Sequence, residues 1–459
     1  MCLYSTQPLT ISTFLNMNRR ILLLAGFLSL GATAKAQWAT QPIAFPNAFS
    51  TPYFIKGVDA NTVWTIGYDL DAGSGTNYAR STNGGVTWTA GTVTGVTATT
   101  GIVTSLTAAD ANTAWVTVLG ANGSRIMKTS NGGTTWTQQG TAFSSPDSYP
   151  NMIHFFNANE GVAQGDPLTD GGSFEMYRTT DGGTTWTPVT TPASLSGEYG
   201  AEAQPAAAGN NIWFGTLDGR VYHSTDKGAT WTVADAALPD GVFALAFRDA
   251  QNGLANSLDL DTGAKLLKRT TDGGTTWSSV TYTGLFPGFG LDNVPGTQQY
   301  IATGFDLAGT GNATGSSYSR DNGQTWVTLE TAISHTRVDA VSPTAIWSGA
   351  IDDNTFGGLG MNRLTTTTLG TKPVAAEQLG FSVYPNPSAD GRFVVGSKVA
   401  RTGVELRVSD ALGREVTRRT WQGSTATPFT LDLSQYKAGV YSLEILSEAG
   451  TSHQKLVVR

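Results

Sequence analysis

Six short segments of the 459-residue chain repeat one another, and this repetition restricts the fold more than any other feature. They are Ser81-Thr-Asn83-Gly-Gly85-Val-Thr87-Trp88, Thr129-Ser-Asn131-Gly-Gly133-Thr-Thr135-Trp136, Thr179-Thr-Asp181-Gly-Gly183-Thr-Thr185-Trp186, Ser224-Thr-Asp226-Lys-Gly228-Ala-Thr230-Trp231, Thr270-Thr-Asp272-Gly-Gly274-Thr-Thr276-Trp277 and Ser319-Arg-Asp321-Asn-Gly323-Gln-Thr325-Trp326. Their tryptophans stand 48, 50, 45, 46 and 49 residues apart, a period that suits one four-stranded blade per repeat. Each segment has the chemistry of a hairpin turn. Asp or Asn accepts backbone N–H groups, Gly takes positive φ, the Ser and Thr hydroxyls join the local network, and Trp closes the turn with apolar surface. With 55 glycines, only 14% charged residues and no long helical periodicity, the chain reads as all-β.

These segments resemble the Asp-box, or BNR, repeats of sialidases, sortilin-type receptors, xyloglucanase-type glycosidases and photosystem II stability-factor-like propellers, over residues 38 to about 368. The resemblance implies that the boxes lie between a blade's third and fourth strands, away from the functional face. Asn83, Asn131, Asp181, Asp226, Asp272 and Asp321, with Trp88, Trp136, Trp186, Trp231, Trp277 and Trp326, are then structural. A second series, read as inner strands, begins at Asn61, Asn112, Asn159, Asn210, Gln251, Thr297 and Pro343, one unit more than the boxes. The last unit ends at Met361-Asn-Arg-Leu-Thr365 without a box, while Trp38-Ala-Thr-Gln41 looks like the strand that follows a box tryptophan. Residues 38 to about 46 are therefore expected to complete the seventh blade of a propeller spanning 37–368 and to remove its exposed edge.

The blade pattern stops at a linker, 369–379, and residues 380–459 read as a small Ig-like β-sandwich. Tyr384-Pro-Asn-Pro387, Asp410-Ala-Leu-Gly-Arg414, Ala438-Gly-Val-Tyr441 and the terminal Lys455-Leu-Val-Val-Arg459 resemble, in order, the type A C-terminal sorting domain of type IX secretion cargo. The resemblance implies the type IX machinery as a partner and a destination outside the cell or on its outer surface. A basic start at Met17-Asn-Arg19-Arg20, an apolar run from Ile21 to Leu30 and Ala34-Lys-Ala36 predict a signal peptide over 1–36 with Met17 as the true start. Nothing later in the chain is apolar enough to span a bilayer.

Loss of that segment leaves 25 basic against 35 acidic residues, a balance that excludes nucleic acid as the expected partner. It also removes Cys2, the only cysteine, so no disulfide is expected. The expected contact face is the one opposite the boxes, formed by loops entering the inner strands and loops joining second to third strands. Loops 143–150, 194–204, 285–295 and 333–339 bring Tyr149, His154 just downstream, Tyr199, Phe289, His335 and Arg337 as ligand-binding candidates, because aromatics beside acids suit sugar or protein contacts. Glu198, Glu202, Asp166 and Asp292 are the carboxylates open to a two-acid glycoside hydrolase, whose chemistry depends on their separation.

A sialidase would need an arginine triad, and no Arg lies between Gln37 and Tyr78; only Arg248 and Arg337 are plausible site arginines. The acid-rich loops beginning at Asp69, Asp166 and Asp259 could offer oxygens to Ca²⁺, but the twelfth positions from Asp69 and Asp259 are Arg80 and Thr270 rather than a bidentate glutamate, so turn formation explains them better. No zinc, phosphate-loop or nucleophilic-serine motif is present, and no metal ligand is assigned. The expectation is a noncatalytic exported propeller that binds glycan or protein through its loop face. The alternative is an extracellular glycoside hydrolase using carboxylates on the same face, and a scaffold with a broad patch and no pocket is a third reading.

Overall fold

The computed structural model describes residues 37–459 except 71, 122, 203, 307–312, 353–356, 366–380, 399–403, 411–414, 422–426 and 448–449. The expected signal segment and linker, together with Asp71 of the acid-rich loop that begins at Asp69, lie outside the described residues. Within them the chain forms strands and turns and no helix.

Between Trp38 and Leu364 lie seven sheets. The first runs in sequence order through Thr51–Gly57, Val63–Asp69, Ser74–Ser81 and Thr89–Thr92, each strand antiparallel to the next. The next five sheets repeat this meander from innermost strands at Ile102–Ala108, Pro150–Phe155, Ala206–Ala208, Ala244–Phe247 and Gly290–Asn293, the last gaining a fifth strand, Thr283–Gly284, parallel to Thr325–Glu330 at its outer edge. The seventh takes three strands from one end of the region, His335–Ser342, Ala345–Ile351 and Gly358–Leu364, and its outer strand, Trp38–Gln41, from the other. Trp38 pairs with Leu364 and Gln41 with Met361, so the strand expected to be borrowed from the N-terminal end is borrowed.

Neighbouring sheets are tied by side chains that reach the next sheet's turns. Trp64 Nε1 donates to Asp110 O at 3.0 Å, Trp115 Nε1 to Gly182 O at 3.1 Å and Trp213 Nε1 to Gly273 O at 2.8 Å. Arg178 Nε donates to Lys227 O at 3.2 Å and Arg248 Nη1 to Asn322 Oδ1 at 2.5 Å. The circuit closes through Trp38 Nε1 to Ser316 Oγ at 2.8 Å, and then from the seventh sheet to the first through Arg363 Nη1 to Gly84 O at 2.9 Å and Thr336 Oγ1 to Pro52 O at 2.6 Å.

One expectation changes. The Trp-bearing segments read as inner strands are the second strands of their sheets, together with the turns before them. Trp64, Trp115, Trp213 and Trp347 are fully buried because the second strand is covered on both faces by adjacent sheets. The innermost strands come earlier in each repeat and border a central cavity of about 620 Å³ to which all seven contribute.

Residues 381–459 form two further sheets, Phe381–Tyr384, Arg392–Ser397 and Phe429–Asp432, and Glu415–Trp421, Val404–Ser409, Gly439–Ser447 and Gly450–Val458. Alternating side chains such as Phe393, Val395, Leu406, Val408, Leu443 and Ile445 make a shared core, as a two-sheet sandwich requires.

Candidate functional site

The repeated turns are closed on themselves. At Asp181, Oδ1 accepts the Thr185 N–H at 2.9 Å and the Thr179 hydroxyl at 2.9 Å, while Oδ2 accepts the Thr185 hydroxyl at 2.6 Å. The Thr185 hydroxyl and amide hold that carboxyl down to about 2. Asp226, Asp272 and Asp321 repeat the pattern with Thr230, Thr276 and Thr325, and Asn83 and Asn131 bond Thr87 and Thr135. The box tryptophans pack beneath: Trp231, Trp277 and Trp326 donate to the carbonyls of Gly228, Gly274 and Gly323, and Trp88, Trp136 and Trp186 sit in the intersheet cores. With their acceptors filled, these turns have little left to offer a ligand.

On the opposite face the long connection 190–205 carries most of the candidate chemistry. Glu198 is 2% exposed and takes Arg220 with both carboxylate oxygens, Nε to Oε1 at 2.9 Å and Nη2 to Oε2, and also accepts the Leu195 N–H at 2.8 Å. Burial would raise its carboxyl, but Arg220 and the Leu195 amide outweigh that and hold it below the usual range. Glu202 is exposed and accepts the Tyr149 hydroxyl at 2.6 Å. Asp166 accepts the Gly200 N–H at 2.8 Å and Asn151 Nδ2 at 2.6 Å; burial pushes it up to about 6, with the Glu202 charge adding to the rise. Burial and the charge and hydrogen bond of Glu202 keep Tyr149 firmly in its phenol form. Tyr149, Glu202 and Asp166 are thus brought together, whereas Glu198 is committed to Arg220. Tyr199 projects into solvent nearby, 51% exposed.

The remaining candidates turn inward. Phe289 is buried against Tyr53, Phe243 and Phe305. His335 is buried in the closing sheet, its Nδ1 at 2.6 Å from Ser348 Oγ and its Nε2 at 3.0 Å from Glu330 Oε1; burial lowers its proton affinity and Glu330 only partly opposes this. Arg337 lies over Tyr53 and Phe243 at 4.9 and 5.6 Å and donates to the Glu202 carbonyl at 3.0 Å. Gln204 donates to Ile55 O and borders the central cavity.

The cavity holds a second set of polar groups. Asp292 Oδ2 accepts the Ala340 N–H at 2.7 Å, and burial, followed by the charge of Asp339, pushes its carboxyl up to about 8. Asp339 is raised by burial while Lys56, 3.6 Å away, opposes the rise. His154 is held down to about 3 by burial and by Lys56. Sequence reasoning named Asp292, His154 and Arg337 but missed Lys56. The signal was positional: Lys56, Thr107 and His154 are the penultimate residues of the first three innermost strands. The cavity wall extends to Gly209, Asp249, Ala250, Pro295 and Gly296, in the turns leaving the innermost strands.

The acid-rich loops fold as turns. Asp69 accepts Ala72 N–H at 3.0 Å, and Asp259 accepts Asp261 and Thr262 N–H at 2.9 and 3.1 Å and the Thr262 hydroxyl at 2.6 Å. Among the described residues no group of three or more His, Cys, Asp or Glu side chains is placed to hold a metal ion, and no helix is long and apolar enough to cross a membrane.

Comparison with known proteins gives the same two parts. Residues 96–255 match the photosynthesis system II assembly factor YCF48 family, a BNR-type propeller, and residues 382–459 match the secretion system C-terminal sorting domain family. The chain therefore combines an all-β propeller with the sorting domain of type IX secretion cargo, which directs it to the cell surface or beyond. No curated protein matches the sequence. Among solved structures, YCF48 bound to D1 peptide superposes with a TM-score of 0.50 at 16% identity, over 74% of this chain and all of that one, a likeness of fold. YCF48 from Cyanidioschyzon merolae gives 0.48 at 16% identity over 72% and 99% of the two chains, and an ancestral GH74 enzyme gives 0.47 at 15% over 91% and 63%.

Proposed function

We propose that the chain is an exported, noncatalytic seven-bladed propeller that binds a glycan or protein through the loop face opposite its repeated turns. The supporting observation is the exposure of Leu168, Leu195, Tyr199 and Leu217, between 49% and 56%, on adjacent loops of that face. Exposed apolar side chains grouped on ordered loops are what a recognition surface needs and a solvent-facing loop does not. The repeated turns serve the fold, the segment 1–36 serves export, and the sorting domain brings the propeller to its place of action.

The hydrolase reading keeps one observation in its favour: Asp166, raised to about 6, stands with Glu202 and Tyr149. Against it, Glu198 is neutralised by Arg220 and Asp292 lines the central cavity rather than the loops, so the alternative rests on Asp166 and Glu202 alone. A glycan array with the mature chain, followed by product analysis on every glycan retained, tests the proposal. Retention without turnover is expected; turnover abolished by Glu202→Gln would replace binding with hydrolysis.

A further inference from the structure

The connections that reach the loop face share an electrostatic property. In the sequence of the approaches to the seven innermost strands, and of the loops joining second to third strands, there is no Lys, Arg or His. Acids are frequent there, and around the exposed apolar group they include Asp147, Asp170, Glu202 and Asp218, all exposed. Among the described residues, cations at this face stand only where third strands begin, at Arg125, which donates to Gly95 O, Arg220 and Lys265; others, Lys128, Arg178, Arg248 and Arg363, are engaged in intersheet contacts toward the repeated turns. Arg220, at the start of its strand beside the apolar group, is neutralised by Glu198.

The apolar group is held in place by the loops that carry it. Asp170 accepts the Ser196 hydroxyl and the Gly197 N–H, each at 2.7 Å, and these bonds keep its carboxyl below the usual range and so ionised. Ser194 N–H donates to Gly172 O at 2.8 Å and Leu217 N–H to Tyr199 O at 3.0 Å, tying the loops of the third and fourth sheets together. Such ordering lowers the entropy lost when a partner docks.

On this basis, which rests on the binding reading above, we propose that the loops of the third and fourth sheets dock a basic polypeptide segment in which Lys or Arg alternates with apolar residues. Three aliphatic side chains with a single exposed aromatic ring offer a sugar little stacking surface but suit the side chains of a peptide. The surrounding carboxylates complement cations and repel acidic glycans.

The test uses the mature chain, residues 37–459, and a fluorescein-labelled decapeptide of alternating Lys and Leu, with the Glu–Leu decapeptide as control. Saturable binding of the Lys–Leu peptide alone is expected, weakening by roughly tenfold or more from about 50 to about 200 mM salt as charges are screened. L195S/L217S should weaken it by about tenfold, since two exposed apolar contacts are lost. D170N should weaken it and flatten the salt dependence, while Asp249→Asn, on the other face, should change nothing. All altered side chains are exposed, and an unchanged melting temperature verifies folding. Absence of Lys–Leu binding, equal binding of both peptides, or indifference to L195S/L217S overturns the proposal. A neutral oligosaccharide held by the same loops independently of salt overturns it too, yet leaves the binding reading standing; glycan turnover defeats that reading itself.

Discussion

Asp292 and His154 border the same cavity and depart from their usual protonation in opposite senses. The Asp292 carboxyl, about 8 when folded, titrates near its ordinary 3.8 when unfolded, so over that interval the folded chain holds a proton the unfolded chain has released. Its contribution to stability is complete below the lower value and lost as pH rises through the upper. His154, about 3 when folded and 6.5 when unfolded, acts the other way: the unfolded chain gains the proton first, and stability is lost as pH falls through that window. The two slopes oppose each other in mildly acidic solution, and above pH 6.5 the His154 slope is gone while that of the Asp292–Asp339 pair, both carboxyls raised by burial, remains. Calorimetry from mildly acidic to mildly alkaline pH should show the melting temperature falling above neutrality, and Asp292→Asn should flatten that fall; an unchanged slope in the variant would assign the proton elsewhere. A second residue-scale prediction concerns Gly133, at φ +93°, where an added Cβ would lie 2.2 Å from Tyr78 Cε2. Gly95, at φ +81°, has nothing within 4 Å. Gly95→Ala should cost roughly 1–2 kcal/mol, the left-handed backbone alone. Gly133→Ala should exceed it by roughly 1–3 kcal/mol of forced repacking, read from urea midpoints.

At the scale of elements, the strand Trp38–Gln41 has the largest role for its length. Trp38 is 2% exposed, packs against the His335 ring at 4.8 Å and bonds Ser316 of the neighbouring sheet. Trp38→Ala should cost about 3–5 kcal/mol, the usual loss for a buried indole, and shorten the unfolding half-life measured by stopped-flow fluorescence. Loss within the range of a surface substitution would show that the strand is an ornament to the sheet. This strand was legible in the sequence because Trp38-Ala-Thr-Gln41 looks like the strand after any box, and the box turns were legible because their chemistry is local. The innermost strands were not. Tryptophan marks the strand covered on both sides, whereas Thr107, His154 and Asp292 on the innermost strands gain their meaning only from strands far away in sequence. The same holds for Glu198, exposed-looking until Arg220, 22 residues on, closes over it. Phe289 and His335, placed on the rim by sequence, are drawn into the core by partners such as Phe305 and Ser348.

For the whole molecule, the fold, and with it the proposed function, depends on closure of the circle of sheets. A closed circle has two unlike faces. One is filled with self-bonded turns and intersheet cations, and the other carries acids and exposed leucines. An open array would offer no such division, and its terminal sheet would present an unpaired edge ready to join another chain. Amide hydrogen exchange of the mature chain reads closure directly, because edge amides exchange through local fraying and ladder amides through larger opening. The amides of residues 38–41 that face Met361–Leu364 should be protected as strongly as those within Gly358–Leu364 itself, and both stretches should lose protection together in denaturant. Rapid exchange over 38–41 while 358–364 stays protected would contradict a closed ring.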